Sequence, residues 1–250
     1  MEEEVIPALQ VSGLKKAFGG VPAMNDVSLQ VMPGERRLII GPNGAGKTTL
    51  FNLITGDLPR DAGTIRLFGE DISRLQPHQR AHRGLARTYQ IITLFPKDSL
   101  EHNIVLSLLG ASTTRWRVFR PLAARADLYR EARRVLRMVG LDHLAARSIS
   151  EAAYGEKRRV EIAMALARKP KVLLLDEPLA GLSREERITM AELIAAIPRE
   201  MTVVMIEHDM DSALDLAERI TVLHYGSVIV EGTRAEVVTD PKTREVYLGD

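Results

Sequence analysis

The sequence predicts an α/β protein with a parallel sheet at its centre. From Val160 onward, stretches with helical spacing alternate with wholly apolar segments short enough to be buried strands. Leu38-Ile39-Ile40 runs into a glycine-rich turn and then into helical text, the strand-turn-helix order of such sheets. The chain before Gly69 is β-rich, whereas the chain after it turns polar, arginine-rich and helical.

Taken in order, strands are expected over Ala8 to Val11, Val27 to Val31, Leu38 to Ile40 and Thr64 to Phe68. Pro77 to Arg87 and Ala123 to Val139 carry apolar residues at helical spacing and belong to a candidate helical subdomain. Val160 to Ala167 then reads as helix, Val172 to Leu175 as strand, Arg184 to Ile197 as helix and Val203 to Ile206 as strand. Ile220 to Leu223 and Val228 to Val230, joined through Tyr225-Gly226-Ser227, read as a closing hairpin, and Ala235 to Val238 as a last helix.

Composition narrows the class. With 250 residues, 45% of them hydrophobic and 27% charged, the chain has the apolar material for a sizeable core. Its 34 Lys and Arg nearly balance 33 Asp and Glu, which argues against a general nucleic-acid binder held by phosphate neutralisation. Having no Cys, the chain has neither disulfides nor thiolate metal sites. The opening Met1-Glu2-Glu3-Glu4 is acidic, and no apolar run approaches the ~18 residues that cross a bilayer; the expectation is a chain neither exported nor membrane-spanning.

Gly41-Pro42-Asn43-Gly44-Ala45-Gly46-Lys47-Thr48 fits the pattern G-x-x-x-x-G-K-[ST] at every fixed position, between an apolar strand and a helix beginning near Thr49. Glycines let backbone amides curl around an anion, and the following helix N-terminus adds unpaired N–H groups and a favourable dipole. Lys47 is expected to reach the β- and γ-phosphates of a nucleotide, and the Thr48 hydroxyl to ligate Mg²⁺. Val172-Leu173-Leu174-Leu175-Asp176-Glu177 sets two carboxylates at the end of a mid-sheet strand, expected to neighbour the strand of the phosphate loop. Asp176 suits the magnesium and Glu177 the role of general base towards an attacking water.

These motifs, in this order, resemble the ATP-binding subunits of ABC transporters over nearly the whole chain. The resemblance implies ATP and Mg²⁺ as cofactors and a RecA-like P-loop ATPase core with an antiparallel β region and a helical subdomain. Residues 1–250 would form one ATP-binding domain, with residues 88–158 as the helical part. It implies that Phe18 stacks on adenine, that Gln90 contacts Mg²⁺ or its water, and that His208 hydrogen-bonds the γ-phosphate. The family's signature Leu-Ser-Gly-Gly-Gln, which caps the γ-phosphate bound by the opposite subunit, aligns with Ala152-Ala153-Tyr154-Gly155-Glu156. Only Gly155 is identical; Ala153 lacks the hydroxyl of the family serine, and Tyr154 stands where a glycine permits close backbone approach.

Those departures, with Ala180-Gly181-Leu182 after the acidic pair, Ile206-Glu207-His208-Asp209-Met210 and the ending Glu245-Val246-Tyr247-Leu248-Gly249, are similar to the ATPases of bacterial branched-chain amino acid uptake systems. Implied partners are two transmembrane permease subunits, a related ATPase or a second copy closing on two ATPs, and indirectly an extracytoplasmic solute-binding protein, with no nucleic acid. The implied location is peripheral, on the cytoplasmic face of the bacterial inner membrane. An export ATPase of the lipopolysaccharide type also runs Arg-Arg-Val-Glu-Ile-Ala, as Arg158 to Ala163 do, but the arginine-rich insertion from Ser112 to Arg125 and the C-terminal Val-Tyr-Leu-Gly favour import. A soluble ABC ATPase acting on nucleic acid would need a coiled-coil insertion, tandem domains or a basic bias, and the chain has none of these.

Overall fold

The structure is a computed structural model that describes residues 5–89, 94–111, 125–208 and 213–248. They fall into two compact units. The first takes Met1–Arg87, Lys171–Ala180 and Ile194–Asp250, and the second takes Thr88–Pro170 and Gly181–Leu193.

The first unit holds two sheets. β1 (Leu9–Phe18), β2 (Val21–Val31), β4 (Ala62–Leu67) and β5 (Glu70–Asp71) form an antiparallel sheet in the order β2-β1-β4-β5. β3 (Arg36–Ile40), β6 (Leu85–Arg87), β7 (Val172–Asp176), β8 (Thr202–Ile206), β9 (Arg219–His224) and β10 (Ser227–Gly232) form the other, in the order β10-β9-β3-β8-β7-β6. All neighbours in it are parallel except the β9-β10 hairpin. β3, β7 and β8 are buried at every position, which is why their text is apolar without alternation. The exceptions at the start of β3 are paired: Arg37 bonds Glu35 at 2.6 Å and Glu231 at 2.8 Å. After β3 comes α1 (Lys47–Thr55), whose Leu50, Phe51, Leu53 and Ile54 share one apolar core with Leu9, Val11 and Ile65 of the antiparallel sheet and with Ile39, Leu174 and Val204.

β7 is not the neighbour of β3, because β8 lies between them. The expected helix over Pro77 to Arg87 is also corrected: α2 spans only Pro77–His82, and Leu85-Ala86-Arg87 is the edge strand β6, paired with β7. Gly84 at φ +100° ends the helical path, and a Cβ there would press within 2.9 Å of the Lys171 side chain. After β10 come α7 (Arg234–Thr239) and a further helix the sequence reading lacked, α8 (Pro241–Leu248).

The second unit is helical. α3 (Leu100–Ala111), α4 (Ala126–Met138) and α5 (Tyr154–Ala167) pack on one another, and most of α6 (Arg184–Ala195) belongs here too. α4 buries Leu128, Ala132, Val135 and Leu136, a stripe at spacings of three and four that makes it amphipathic. Of the insertion's arginines only Arg125 is described; it pairs with Asp127, while Arg115, Trp116, Arg117 and Arg120 lie outside the described residues.

Candidate functional site

In the first unit, β3 ends at Ile40 and the next six residues turn into α1, which starts at Lys47. Two glycines there are required by close packing. A Cβ on Gly41 would fall 2.2 Å from the Leu223 carbonyl oxygen, and one on Gly46 2.7 Å from that of Ala23, with Gly46 itself at φ +100°. The turn is tied inside by Ala45 N–H donating to Pro42 O at 3.1 Å and outside by Gly226 N–H donating to Ala45 O at 3.0 Å. Asn43, Gly44 and Thr48 are exposed, and nothing lies within 4 Å of a Cβ placed on Gly44, so the loop's rim is open to a ligand.

Lys47 is buried at the first position of α1, and its ammonium donates to the carbonyls of Gly41 at 2.6 Å and Pro42 at 3.2 Å. Burial pulls its pKa down from the ordinary lysine value, while Glu177, Asp176 and Glu207 push it back up. Three carboxylates from the ends of β7 and β8 thus act on one ammonium at the start of α1. Sequence reading assigned no role to Glu207, a buried residue whose Oε1 accepts the Leu179 N–H at 2.8 Å and whose own N–H reaches Ile39 O at 3.3 Å. Its place, one residue before His208 at the end of an apolar strand, repeats the pattern that drew attention to Asp176.

Glu177 adopts the left-handed φ of +47°, an uncommon conformation for a non-glycine residue and one that collects at functional sites. Its N–H donates to Ile206 O at 3.0 Å and its carbonyl accepts from Ala180 N–H at 3.1 Å, so both peptide groups are fixed around a half-buried side chain. His208 follows β8 with its side chain exposed. Phe18 ends β1 in the same unit, 47% exposed, with Lys16 Nζ 5.6 Å from the ring centroid. Gln90 lies outside the described residues.

A second group of expected residues belongs to the helical unit. Ala153 is the N-cap of α5, and its N–H donates to Glu156 Oε2 at 2.7 Å. Only this half of a capping box is made, since alanine has no oxygen to return the bond. Tyr154, 44% exposed, lies against Gly181, where a Cβ would come within 3.2 Å of its Cε1. The buried Arg158 holds that tyrosine: Nε donates to its hydroxyl at 3.2 Å, the guanidinium is 5.6 Å from its ring centroid, and Nη1 donates to Tyr89 O at 3.0 Å. Gly155 must be glycine or move its neighbour, because its Cβ would sit 2.5 Å from Glu186 Oε1.

Among the described residues no three His, Asp or Glu form a cluster able to hold a metal by themselves. Mg²⁺ keeps waters and takes one or two protein oxygens together with substrate phosphates. The donors available, the exposed Thr48 hydroxyl and the Asp176 carboxylate, are hard oxygens of that kind.

The family model for "ABC transporter" matches residues 24–180. The branched-chain amino acid transport ATP-binding protein BraF of Pseudomonas aeruginosa is 38% identical over 98% of both chains, and LivG of Escherichia coli K12, with the same description, is 36% identical over 98% of both. A solved nucleotide-free ATP-binding cassette of an ABC transporter superposes with a TM-score of 0.87 at 30% identity, over 98% of this chain and 100% of its own. With the phosphate loop, the acidic strand end and the sheet order all in place, the chain belongs to the ABC transporter family.

Proposed function

We propose that this chain is the ATP-binding and ATP-hydrolysing subunit of an ABC importer for branched-chain amino acids or related small polar solutes. The observation that carries the reading is Lys47, at the head of α1 on an open glycine loop and acted on by Asp176, Glu177 and Glu207. A nucleotide's β- and γ-phosphates would draw the ammonium off the Gly41 and Pro42 carbonyls and take the loop amides of Asn43, Gly44, Ala45, Gly46, Thr48 and Thr49 as further donors. Bound Mg²⁺ neutralises charge on the phosphates, and Thr48, Asp176 and Gln90 are the residues assigned to hold it. Glu177 accepts the proton of the water that attacks the γ-phosphorus, His208 hydrogen-bonds the γ-phosphate, and Phe18 stacks on adenine.

The signature residues Ala153, Tyr154, Gly155 and Glu156 would cap the nucleotide of a second ATPase, a related chain or another copy, so that two ATPs are enclosed between two chains. On this reading the two units are parts of one ATP-binding domain, with residues 88–158 as its helical part. No described helix is long and apolar enough to cross a membrane. Transport then requires two permease subunits, with the ATPase held peripherally on the cytoplasmic side of the inner membrane and a solute-binding protein on the other.

The reading is tested with Lys47→Ala and a fluorescent ATP analogue. Loss of the loop's one cation should abolish binding, whereas an unchanged affinity in a folded variant would reduce the loop to a structural turn.

A further inference from the structure

Asp176, the carboxylate assigned to Mg²⁺, already has a cation beside it. Arg87, the last residue of β6, donates from Nη2 to Asp176 Oδ2 at 2.7 Å. Both side chains are almost fully buried, at 4% exposure for Arg87 and 1% for Asp176. The guanidinium is fixed from its other side as well. Nη1 donates to Asn52 Oδ1 at 2.6 Å and lies 3.5 Å from Asp57 Oδ2, and the ring of Phe51 is 5.5 Å from the guanidinium carbon. Asn52, Phe51 and Asp57 come from α1 and the turn that follows it, so Arg87 spans from the phosphate-loop helix to the strand end that carries the acidic pair.

A carboxylate this deeply buried needs a compensating charge, and Arg87 supplies it at charge-assisted hydrogen-bond distance. Mg²⁺ drawn to the same carboxylate meets a fixed positive charge already in place, and in a buried site that repulsion is weakly screened. We propose that Arg87 is the resident counter-ion of Asp176 and competes with the divalent cation for it, so that cation binding relaxes the Arg87–Asp176 pair. The idea rests on the assignment of Asp176 to Mg²⁺ made above. It adds a residue that sets how tightly the cation binds, and with it a reason for a buried arginine at the end of a three-residue edge strand.

The test uses the full chain, saturating ADP and Mn²⁺ as the probe, with free Mn²⁺ followed by electron paramagnetic resonance. Arg87→Gln removes the charge; Arg87→Lys keeps a charge but loses the planar fork that reaches Asn52 and Asp176 together. Mn²⁺ should bind about tenfold or more tightly to Arg87→Gln than to the wild type, with Arg87→Lys in between. In thermal unfolding, the deficit of Arg87→Gln in EDTA should shrink when Mn²⁺ and ADP are added, since the cation then takes over the role of counter-ion. Should Arg87→Gln fail to fold, Arg87→Lys decides alone: affinity equal to or weaker than the wild type overturns the competition. For a folded Arg87→Gln, weaker or unchanged Mn²⁺ affinity, or a thermal deficit equal with and without cation, overturns it likewise. Wild-type protein that fails to bind ADP and Mn²⁺ at all refutes instead the nucleotide-site reading on which the proposal stands.

Discussion

The phosphate loop and the signature segment are built in opposite ways. Around the loop, position is set by backbone: Gly41 and Gly46 admit carbonyls where a Cβ would collide, Glu177 is held in a left-handed conformation, and Lys47 is anchored on loop carbonyls. Around the signature, position is set by side chains: Tyr154 fills the space over Gly181, Arg158 holds Tyr154 and the Tyr89 carbonyl, and Glu186 sits against Gly155. Where the resemblance places a glycine, this segment carries a tyrosine with its own supports.

The sharpest way to separate the two regions is Glu177→Gln. The amide keeps the shape of the carboxylate but accepts no proton, so turnover should fall by about 10²–10⁴-fold while nucleotide affinity and melting temperature stay near those of the wild type. Steady-state ATPase assays beside equilibrium nucleotide binding decide it; wild-type turnover in the variant removes the general-base assignment.

On the signature side a single change should act through stability instead. Arg158→Met takes away the bonds to Tyr154 and Tyr89 and leaves Glu161, 3.2 Å from Nη1 and nearly buried, without that partner. Breaking such a buried pair costs about 3 kcal/mol, to be read by denaturant titration. A loss below about 1 kcal/mol would mean the cluster is not the support described. The smaller probe, Tyr154→Phe, deletes one hydroxyl and keeps the ring on Gly181, so about 1 kcal/mol is expected from the same measurement. A loss for Tyr154→Phe as large as for Arg158→Met would shift the weight from the arginine to the phenol.

The same contrast explains what could be read in advance. The strands of the parallel sheet were legible because burial on both faces leaves an unbroken apolar run, as in Val172 to Leu175, and the loop because its glycines and lysine are contiguous in sequence. β6 was not, since three residues give no periodicity and Arg87 reads as helix surface until its partner 89 positions away is known. α5 begins at Tyr154, six residues before the expected start at Val160, because its first two turns are polar and capped by Glu156 rather than marked by an apolar stripe. Glu207, like Arg87, is a charged residue whose meaning comes from long-range neighbours: Leu179 N–H is 28 positions from it.

The finest test of the signature side concerns Glu186 and pH. Its carboxylate is held below the usual glutamate range first by the Ser183 N–H, which donates at 2.9 Å, and then by the Ser183 hydroxyl; burial acts the other way, and the Gly155 N–H and the Arg159 charge add smaller lowering effects. A folded-state pKa below the unfolded one means that the unfolded chain binds the proton more readily. The stabilisation is therefore complete above the ordinary carboxylate pKa of about 4.3 and is lost as pH falls through the lowered folded value, with no change expected between pH 6 and 8. Because the group is only partly buried the effect is small, and it is best seen as a difference between wild type and Glu186→Gln. Their melting temperatures should lie a constant distance apart near neutrality and converge in acid. Gly155→Ala places a Cβ 2.5 Å from Glu186 Oε1, and the flexible carboxylate can swing aside only by leaving the Gly155 N–H. In that background the acid dependence attributable to Glu186 should weaken but not vanish, since Ser183 remains. A Gly155→Ala protein with an unaltered Glu186 pH difference would show that the contact between the signature glycine and the helix after Ser183 is steric only, and that the electrostatic link between the two segments does not exist.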